Sequence, residues 1–265
     1  MKKLKLITIC ATFLLALTGC NKNENKIVVG ASSVPHAEIL EQVKPILQEK
    51  GYELDIKVYS DYINPNLALE DDEIDANYFQ HITYLNNFNK EYNTHLTSVG
   101  AIHYEPLGIY CGSKTDLSSI SNGDKILVPN DSTNEARALL LLQQANLISL
   151  KDNVGINATK YDIVNNPYNL EIVEMNAELI ASVRDDAAFA VINGNYAINA
   201  KLSVSDALEI ESSTGSAANA YANVLAVKEG NENNDKIKAL YEALTSTTIK
   251  DYISENYSGA VVSLF

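Results

Sequence analysis

Strand and helix patterns alternate along most of this 265-residue chain, and the alternation occurs twice. The first run begins with the β-branched segment 26–31, typical of a buried strand, and continues with apolar residues at helical spacing over 39–47. The pattern starts again at Lys125, where a second buried-type strand precedes a helical segment at 136–147. The last predicted helix covers 236–244 and is followed by an apolar tail. Because strands that alternate with helices form parallel or mixed sheets covered by helices, we predict an α/β fold with two lobes.

The start of the chain has the pattern of a bacterial lipoprotein signal. Three lysines precede the apolar stretch 6–17, which is too short to span a bilayer because that takes about 20 apolar residues. The segment Leu-Thr-Gly-Cys at 17–20 resembles a lipobox, whose cysteine is lipidated and becomes the new N-terminus. We therefore predict a signal peptide at 1–19, lipidation at Cys20 and a lipid tether at 20–26. The protein is then expected on the extracytoplasmic face of the cell membrane; an uncleaved signal anchor with a chance cysteine is the alternative.

The charge of the mature chain excludes several classes of partner. Without residues 1–19, the 20 basic residues fall to 17 against 34 acidic ones, a formal net charge of −17. Such a chain repels nucleic acid and anionic lipid, so we predict no nucleic-acid partner and membrane contact through the lipid anchor. Cys111 is the one cysteine left after cleavage and lipidation, so no intramolecular disulfide can form. The core must therefore stabilise the fold by itself, which a chain of about 245 residues can do.

The fold class indicates where a ligand would bind. In open α/β sheets, ligands bind at the carboxyl ends of the strands, where loops and helix N-termini meet. The predicted loops after strands are 32–36, 77–81, 103–105, 130–137 and 193–195. Candidate site residues are expected in these five segments.

One of these segments carries an arginine in an unusual place. Ser132 and Glu135 have the spacing of a capping box at the start of the predicted helix, and Arg137 falls in its first turns. A cation there opposes the helix dipole unless an anion binds at the same end. Helix N–H groups and a guanidinium together would hold a carboxylate, and such a clamp would reject the corresponding amide. The alternative is a surface arginine paired with a neighbouring acid.

Two further segments offer polar and aromatic groups. Asn193 directly follows an apolar strand, and its amide supplies both a donor and an acceptor, which suits an amino acid with two charged groups. Tyr78 and His81 follow another strand and could form the flat walls of a slot for an apolar side chain. The alternatives are a capping asparagine and ordinary core aromatics.

The sequence gives little support for catalysis. A metal site could combine His81, His103 and Glu105 with an acid such as Asp61, but no metal-ligand spacing supports it. Ser32 or Ser33 near His36 is the local pairing for nucleophilic chemistry, and no Gly-x-Ser-x-Gly elbow occurs. We predict no enzyme activity, no cofactor and no metal. An exported enzyme and a surface interaction lipoprotein remain the alternatives from other classes.

Six ordered segments together resemble the NlpA lipoprotein family, the methionine-binding proteins of ABC importers. The segments are 29–36, 75–81, 103–108, 128–139, 191–197 and 221–227. The resemblance runs from Lys26 to Phe265 and implies a two-lobed type II periplasmic-binding-protein fold with a ligand cleft between the lobes.

The family resemblance also implies how the lobes are connected. The chain would cross between them twice, near 108–110 and near 221–224. Lobe 1 would then comprise 27–109 and 223–265, and lobe 2 would comprise 110–222.

The resemblance further implies roles for individual residues. Arg137 would hold the ligand carboxylate, and Glu105 would receive its ammonium group. Asn193 would bridge to the polar backbone groups of the ligand. The supporting asparagines and the residues of the side-chain pocket would be Asn195, Asn223, Tyr78, Phe79 and His81.

The function implied is that of a monomeric carrier. It would capture L-methionine and deliver it to an ABC permease and its ATPase. A methionine-containing dipeptide or another amino acid is the alternative ligand.

Overall fold

The computed structural model describes residues 25–212 and 219–265. The predicted signal peptide, the lipidation site Cys20 and most of the predicted tether lie outside the described residues. Within the described ranges, no helix has the length and apolar character needed to cross a membrane.

Thirteen strands and eight α-helices occur in the described part of the chain, together with short 3₁₀ and π segments. The strands are β1 (Lys26–Ser32), β2 (Glu53–Tyr59), β3 (Ala76–His81), β4 (Leu96–Tyr104), β5 (Gly108–Cys111), β6 (Lys125–Pro129), β7 (Ser149–Leu150), β8 (Ile163–Asn165), β9 (Glu171–Met175), β10 (Phe189–Ile192), β11 (Ala207–Ile210), β12 (Ala222–Lys228) and β13 (Val262–Ser263). The helices are α1 (Glu38–Glu49), α2 (Asn64–Glu70), α3 (Ile82–Tyr92), α4 (Ser132–Gln144), α5 (Ala177–Val183), α6 (Gly194–Asn199), α7 (Asp235–Leu244) and α8 (Thr247–Tyr257).

The strands form two large sheets, one in each lobe. The first sheet has the order β13-β4-β12-β3-β1-β2, with β1 parallel to β2 and β3, and β12 antiparallel to β3 and β4. The second has the order β11-β5-β10-β6-β9, with β6 parallel to β9 and β10, and β5 antiparallel to β10 and β11. Strands β7 and β8 form a separate small hairpin. The mixed sheets with flanking helices confirm the predicted two-lobed α/β fold.

Each lobe has its own hydrophobic core. In the first, β-branched residues of β1 such as Ile27 and Val29 pack with Leu40 of α1 and Leu240 of α7. In the second, the strand residues Ile126, Val128 and Phe189 pack with Leu139 and Leu142 of α4. These fully buried side chains fix the strands whose carboxyl ends face the cleft.

The chain passes between the sheets twice. It leaves the first sheet after Tyr104 and enters the second at Gly108, so the outbound crossing is 105–107. It leaves the second sheet after Ile210 and rejoins the first at Ala222. The expected crossings at 108–110 and 221–224 therefore fall within or at the edge of strands, and the structure places both earlier. The family resemblance implies that two crossings exist, and the pairing of β5 with the second sheet and of β12 with the first determines where they lie.

Candidate ligand-binding site between the lobes

A small cavity lies between the two lobes. Its lining residues are Tyr62, Phe79, Gln80, His81, Tyr84, Glu105, Asn134, Arg137, Asn193, Gly194, Asn195 and Asn223. The lining combines aromatic rings with a few buried polar groups, which is typical of a site that fixes the orientation of a small ligand.

Seven of the eight residues predicted for ligand contact line this cavity, and Tyr78 does not. Phe79 of β3 lines the cavity, whereas Tyr78 lies in the core of the first lobe. The hydroxyl of Tyr78 is 2.5 Å from Nδ1 of His103. Tyr78 was expected to form a wall of the pocket, but in the structure it lies behind the cavity and does not line it.

Arg137 pairs with a residue far along the chain. Its Nε lies 3.0 and 2.9 Å from the two carboxylate oxygens of Glu211, and its Nη2 lies 2.6 Å from Oε2. Nη2 also donates to the carbonyl oxygen of Glu105 at 2.7 Å. Burial by itself would lower the pKa of Arg137, but the charge and hydrogen bonds of Glu211 outweigh it and raise that pKa. The alternative considered from sequence was a surface pair between Arg137 and a neighbouring acid. The structure instead shows a buried pair between Arg137 and the distant Glu211.

The helix that carries Arg137 is capped differently from the prediction. Asp131, not Ser132, is the N-cap of α4, and its carboxylate accepts the backbone N–H of Asn134 at 3.0 Å. The Ser132 hydroxyl instead accepts a hydrogen bond from Asn87 of the first lobe. Asp131 directly precedes the first helical residue, and aspartate is among the residues preferred at an N-cap because its side-chain oxygen can accept from the first free N–H groups.

Glu105 lies among buried histidines on the outbound crossing. Its Oε1 is 2.7 Å from Nε2 of His103 and 3.4 Å from Nε2 of His36. Burial lowers the pKa of His36 to about 4 and that of His103 to about 3, so both imidazoles are neutral at pH 7. Burial also raises the pKa of Glu105, with the neighbouring His36 and Arg137 acting in the opposite direction. A positively charged ligand group beside Glu105 would be stabilised as a carboxylate pair.

The same three side chains offer a possible metal-binding set. The ligating atoms of His36, His103 and Glu105 lie within 4.8 Å of one another. Hydrogen bonds already account for this grouping, because His103 bonds to Glu105 and His36 bonds to Asn223 at 3.0 Å. The set considered from sequence differs, since His81 and Asp61 are not in it. Ser33, the considered nucleophile, bonds to Asn199 at 3.3 Å.

Hydrogen bonds fix the tautomer of His81. Its Nδ1 accepts the backbone N–H of Tyr84 at 3.0 Å, so Nε2 carries the proton and donates to Oδ1 of Asn134 at 3.2 Å. Burial and the nearby Arg137 lower the pKa of His81 to about 3. The hydrogen bond from the neutral His81 to Asn134 therefore connects the first lobe with the second.

The network also orients the amide groups of the cavity. Asn193 donates through Nδ2 to Asn134 at 2.8 Å, and its buried Oδ1 has no hydrogen-bond partner among the described residues. Oδ1 of Asn195 accepts the hydroxyl of Tyr62 at 2.5 Å, and Oδ1 of Asn223 faces His36. A ligand could therefore donate to Oδ1 of Asn193 and accept from the Nδ2 groups of Asn195 and Asn223.

Aromatic rings form the apolar part of the cavity. The Tyr62 ring centroid lies 5.9 Å from that of Phe79, 5.8 Å from that of Tyr84 and 5.0 Å from that of Tyr196. Such tilted and edge-on packing leaves flat apolar faces suited to a flexible aliphatic or thioether side chain.

Five cavity residues are absent from the residues predicted for ligand contact: Tyr62, Gln80, Tyr84, Asn134 and Gly194. Gln80, Asn134 and Gly194 belong to the predicted loop segments, so the rule on strand ends could have found them. Tyr62 lies between β2 and α2 and follows no recognisable motif. At Gly194, a Cβ would come within 2.8 Å of Cβ of Glu105, so only glycine allows α6 to approach the crossing this closely.

Comparison with known proteins gives the chain a family. The profile of the NlpA lipoprotein family matches residues 27–265. The methionine-binding lipoprotein MetQ of Bacillus subtilis is 44% identical, over 99% of this chain and 98% of its own length. A nutrient-binding protein from Burkholderia cenocepacia, solved bound to methionine, is 36% identical with a TM-score of 0.85 and covers 90% of this chain and 100% of its own.

A further solved structure links the fold to transport. The periplasmic substrate-binding protein of an ABC transporter from Coxiella burnetii is 39% identical with a TM-score of 0.84, covering 89% of this chain and 99% of its own. All three of these relatives are named as binding proteins, and the first of them is named as a lipoprotein. The family match and the near full-length identity agree, and the chain belongs to the NlpA lipoprotein family.

Proposed function

We propose that this protein binds a free amino acid with an apolar side chain, L-methionine, in the cavity between its lobes. The observation that carries the proposal is the composition of the cavity: Arg137 and the buried carboxyl of Glu105 lie beside an aromatic wall. An amino acid needs polar contacts for two charged groups and an apolar place for its side chain. Relatives named or solved as methionine binders support this ligand.

The polar contacts of the ligand follow from the hydrogen-bond network. Glu105 and the unpaired Oδ1 of Asn193 would accept from the ammonium group. The Nδ2 groups of Asn195 and Asn223 would donate to the carboxyl oxygens, together with Nη1 of Arg137. Phe79 and His81 would contact the side chain of the ligand.

We further propose that the mature protein is anchored by lipid at Cys20 on the extracytoplasmic face and delivers its ligand to an ABC permease. The lipoprotein family and the transporter description of one solved relative support this role. Ligand binding would close the lobes over the cavity, as in other two-lobed carriers. The permease would then recognise the closed form.

A titration tests the proposed ligand. The mature chain with Cys20→Ser is unfolded, dialysed and refolded to remove carried-over ligand, and is then titrated calorimetrically with L-methionine, D-methionine, other amino acids and Gly-Met. Saturable one-to-one binding of L-methionine is the expected result. Binding of Gly-Met or another amino acid alone would move the ligand assignment, and absence of binding across the panel would remove the proposal.

A further inference from the structure

A second space lies between the lobes, outside the ligand cavity, and we call it the cleft-mouth groove. Its lining residues come from both lobes and lie within 61–63, 84–92, 130–135 and 176–178. Glu91, Asn130 and Asn176 are exposed, so the groove is open to solvent. The cavity and the groove have two lining residues in common, Tyr62 and Tyr84. These two tyrosines therefore form the wall that separates the cavity from the groove.

Hydrogen bonds from both lobes fix the position of Tyr62. Its hydroxyl donates to Oδ1 of Asn195 in the second lobe at 2.5 Å, and its carbonyl oxygen accepts the hydroxyl of Tyr84 at 3.1 Å. The ring of Tyr196 packs against it, with 5.0 Å between the ring centroids, and the Tyr196 hydroxyl donates to the carbonyl oxygen of Ser60 at 3.1 Å. Because its ring, its hydroxyl and its backbone are all held, Tyr62 cannot turn aside without breaking several contacts.

The polar and aromatic parts of the cavity give the ligand a direction. If the ligand is an amino acid, as proposed, its amino and carboxyl groups bind to Arg137 and the buried polar groups around it. Its side chain then extends into the aromatic part, where Phe79 and Tyr84 pack with Tyr62. The end of the side chain faces the wall of Tyr62 and Tyr84, and the groove begins on the far side of that wall.

The groove differs from the cavity in its charge. Among the groove residues that the structure describes, none is a lysine, an arginine or a histidine. Five of them carry carboxyl groups, namely Asp61, Glu91, Asp131, Glu135 and Glu178. Burial raises the pKa of Glu135 to about 7, so the other four supply most of the negative charge of the groove at pH 7.5. A cationic group that reached the groove would be attracted, whereas a neutral group of the same size would not.

From this arrangement we infer that Tyr62 determines the longest side chain that the site accepts. An unbranched side chain longer than that of methionine must displace the Tyr62 ring, and excess volume in a packed site is costly. Removal of the ring joins the cavity to the groove, so that a longer side chain can pass into the groove. This inference rests on the proposed amino-acid binding and adds to it a length limit and the residue that sets the limit.

The first test measures the length limit in the unmodified site. The mature chain, stripped of ligand by unfolding and refolding, is titrated calorimetrically with L-methionine and with S-ethyl-, S-propyl- and S-butyl-L-homocysteine. One surplus methylene costs about 10- to 200-fold in a fitted apolar pocket, so we expect the S-butyl compound to bind at least about a hundredfold more weakly than L-methionine. A smaller difference would overturn the inference but leave the proposed function standing. No binding of L-methionine would instead remove the proposed function.

The second test opens the wall. In Tyr62→Ala we expect weaker binding of L-methionine, because ring contacts are lost. The ratio of the S-butyl to the L-methionine dissociation constant should nevertheless fall at least about tenfold. Tyr92→Ala is the matched control and should leave the ratio unchanged, since Tyr92 lines the groove and stacks on Phe88 but does not line the cavity. An unchanged ratio in Tyr62→Ala would indicate a purely structural role and contradict the inference.

A charged analogue shows whether the longer side chain enters the groove. S-(3-aminopropyl)-L-homocysteine has the length of the S-butyl compound but ends in an ammonium group. In Tyr62→Ala, at pH 7.5 and about 0.15 M salt to screen the overall charge, we expect it to bind at least about threefold more tightly than the S-butyl compound. Tighter binding of the S-butyl compound would place the end of the side chain outside the groove and contradict the inference. If Tyr62→Ala fails to fold, the titration of the unmodified protein still decides.

Discussion

At the scale of single residues, the buried pair of Arg137 and Glu211 should matter for stability as well as for binding. Arg137→Ala leaves the Glu211 carboxylate buried without its cation, and we expect a loss of about 3–5 kcal/mol in the free energy of unfolding. Urea denaturation measures this loss of unfolding free energy. Arg184→Ala is the control, since its Nε lies 3.8 Å from the exposed Asp185, and we expect a change below about 1 kcal/mol.

A double variant separates the two contributions of that pair. Arg137→Met combined with Glu211→Gln removes both charges, and we expect it to recover most of the stability lost in Arg137→Ala. Recovery of stability without recovery of methionine binding would show that the arginine contributes to the site beyond its pair. A double variant as unstable as Arg137→Ala would contradict the assignment of the loss to an unpaired carboxylate.

The buried histidines predict a loss of stability in mild acid. Burial holds the pKa of His36 at about 4 and those of His81 and His103 at about 3, so the unfolded chain takes up protons first as pH falls below 6.5. The contribution of these neutral histidines to stability is complete above about pH 6.5. It is lost as the pH falls toward 4 for His36 and toward 3 for His81 and His103, by up to about 1.4 kcal/mol per pH unit for each histidine. The raised pKa of Glu105 acts in the opposite direction, because its protonated form is favoured in the fold.

Denaturation curves between pH 6.5 and pH 5 test this dependence. His103→Gln should reduce the slope of unfolding free energy against pH by up to about 1.4 kcal/mol per unit, whatever its effect on absolute stability. An unchanged slope in His103→Gln would contradict a neutral, buried His103.

The sequence located much of the site because its residues follow strands. Arg137 and Asn193 were identified at helix starts, where a cation or an amide after a strand has a physical meaning. Glu211 could not be found in this way, because it lies 74 residues beyond Arg137 and nothing in its own segment indicates a buried partner. Tyr78 was misplaced because the choice between two adjacent strand residues depends on which face is core.

At the scale of elements, the start of α6 is packed tightly against the outbound crossing. Gly194→Ala would place a Cβ 2.8 Å from Cβ and 3.0 Å from Oε2 of Glu105, although alanine is otherwise the better helix residue. We expect methionine binding to weaken by about tenfold or more, since a small displacement of a contact residue is costly. Calorimetry measures it, and an unchanged affinity would show that Glu105 or α6 moves aside at no cost.

Elements with a strong hydrophobic pattern were predicted better than those without one. The sequence predicts β1, β6 and the helix at 236–244 from their apolar patterns, whereas it predicts an apolar tail where the structure has α8. In α8 the buried residues Ile249, Ile253 and Tyr257 recur only once per turn among polar neighbours. The second lobe also contains the short β7–β8 hairpin, which is too brief for alternation to reveal.

At the scale of the whole molecule, ligand binding should raise the melting temperature. Binding to the folded state alone stabilises by about 2.7 kcal/mol at a free ligand concentration of 100 Kd. For a chain of this size, that corresponds to roughly 5–11 °C. Scanning calorimetry of the stripped protein with L-methionine gives the measurement, with L-alanine as the control. A shift of equal size with both amino acids would show that the aromatic wall does not select the ligand.

The short outbound crossing has a consequence for the order of events in binding. Residues near a rotation axis move least, and Glu105 belongs to the crossing while Arg137 bonds to its carbonyl. When the lobes rotate apart, these two groups should stay close together, whereas the contact of Tyr62 with Asn195 should separate. A ligand would then bind first through its amino and carboxyl groups while the lobes are still partly open, and its side chain would be enclosed last. The association rate would depend on these polar groups, and the dissociation rate on how well the side chain fits the aromatic part of the cavity.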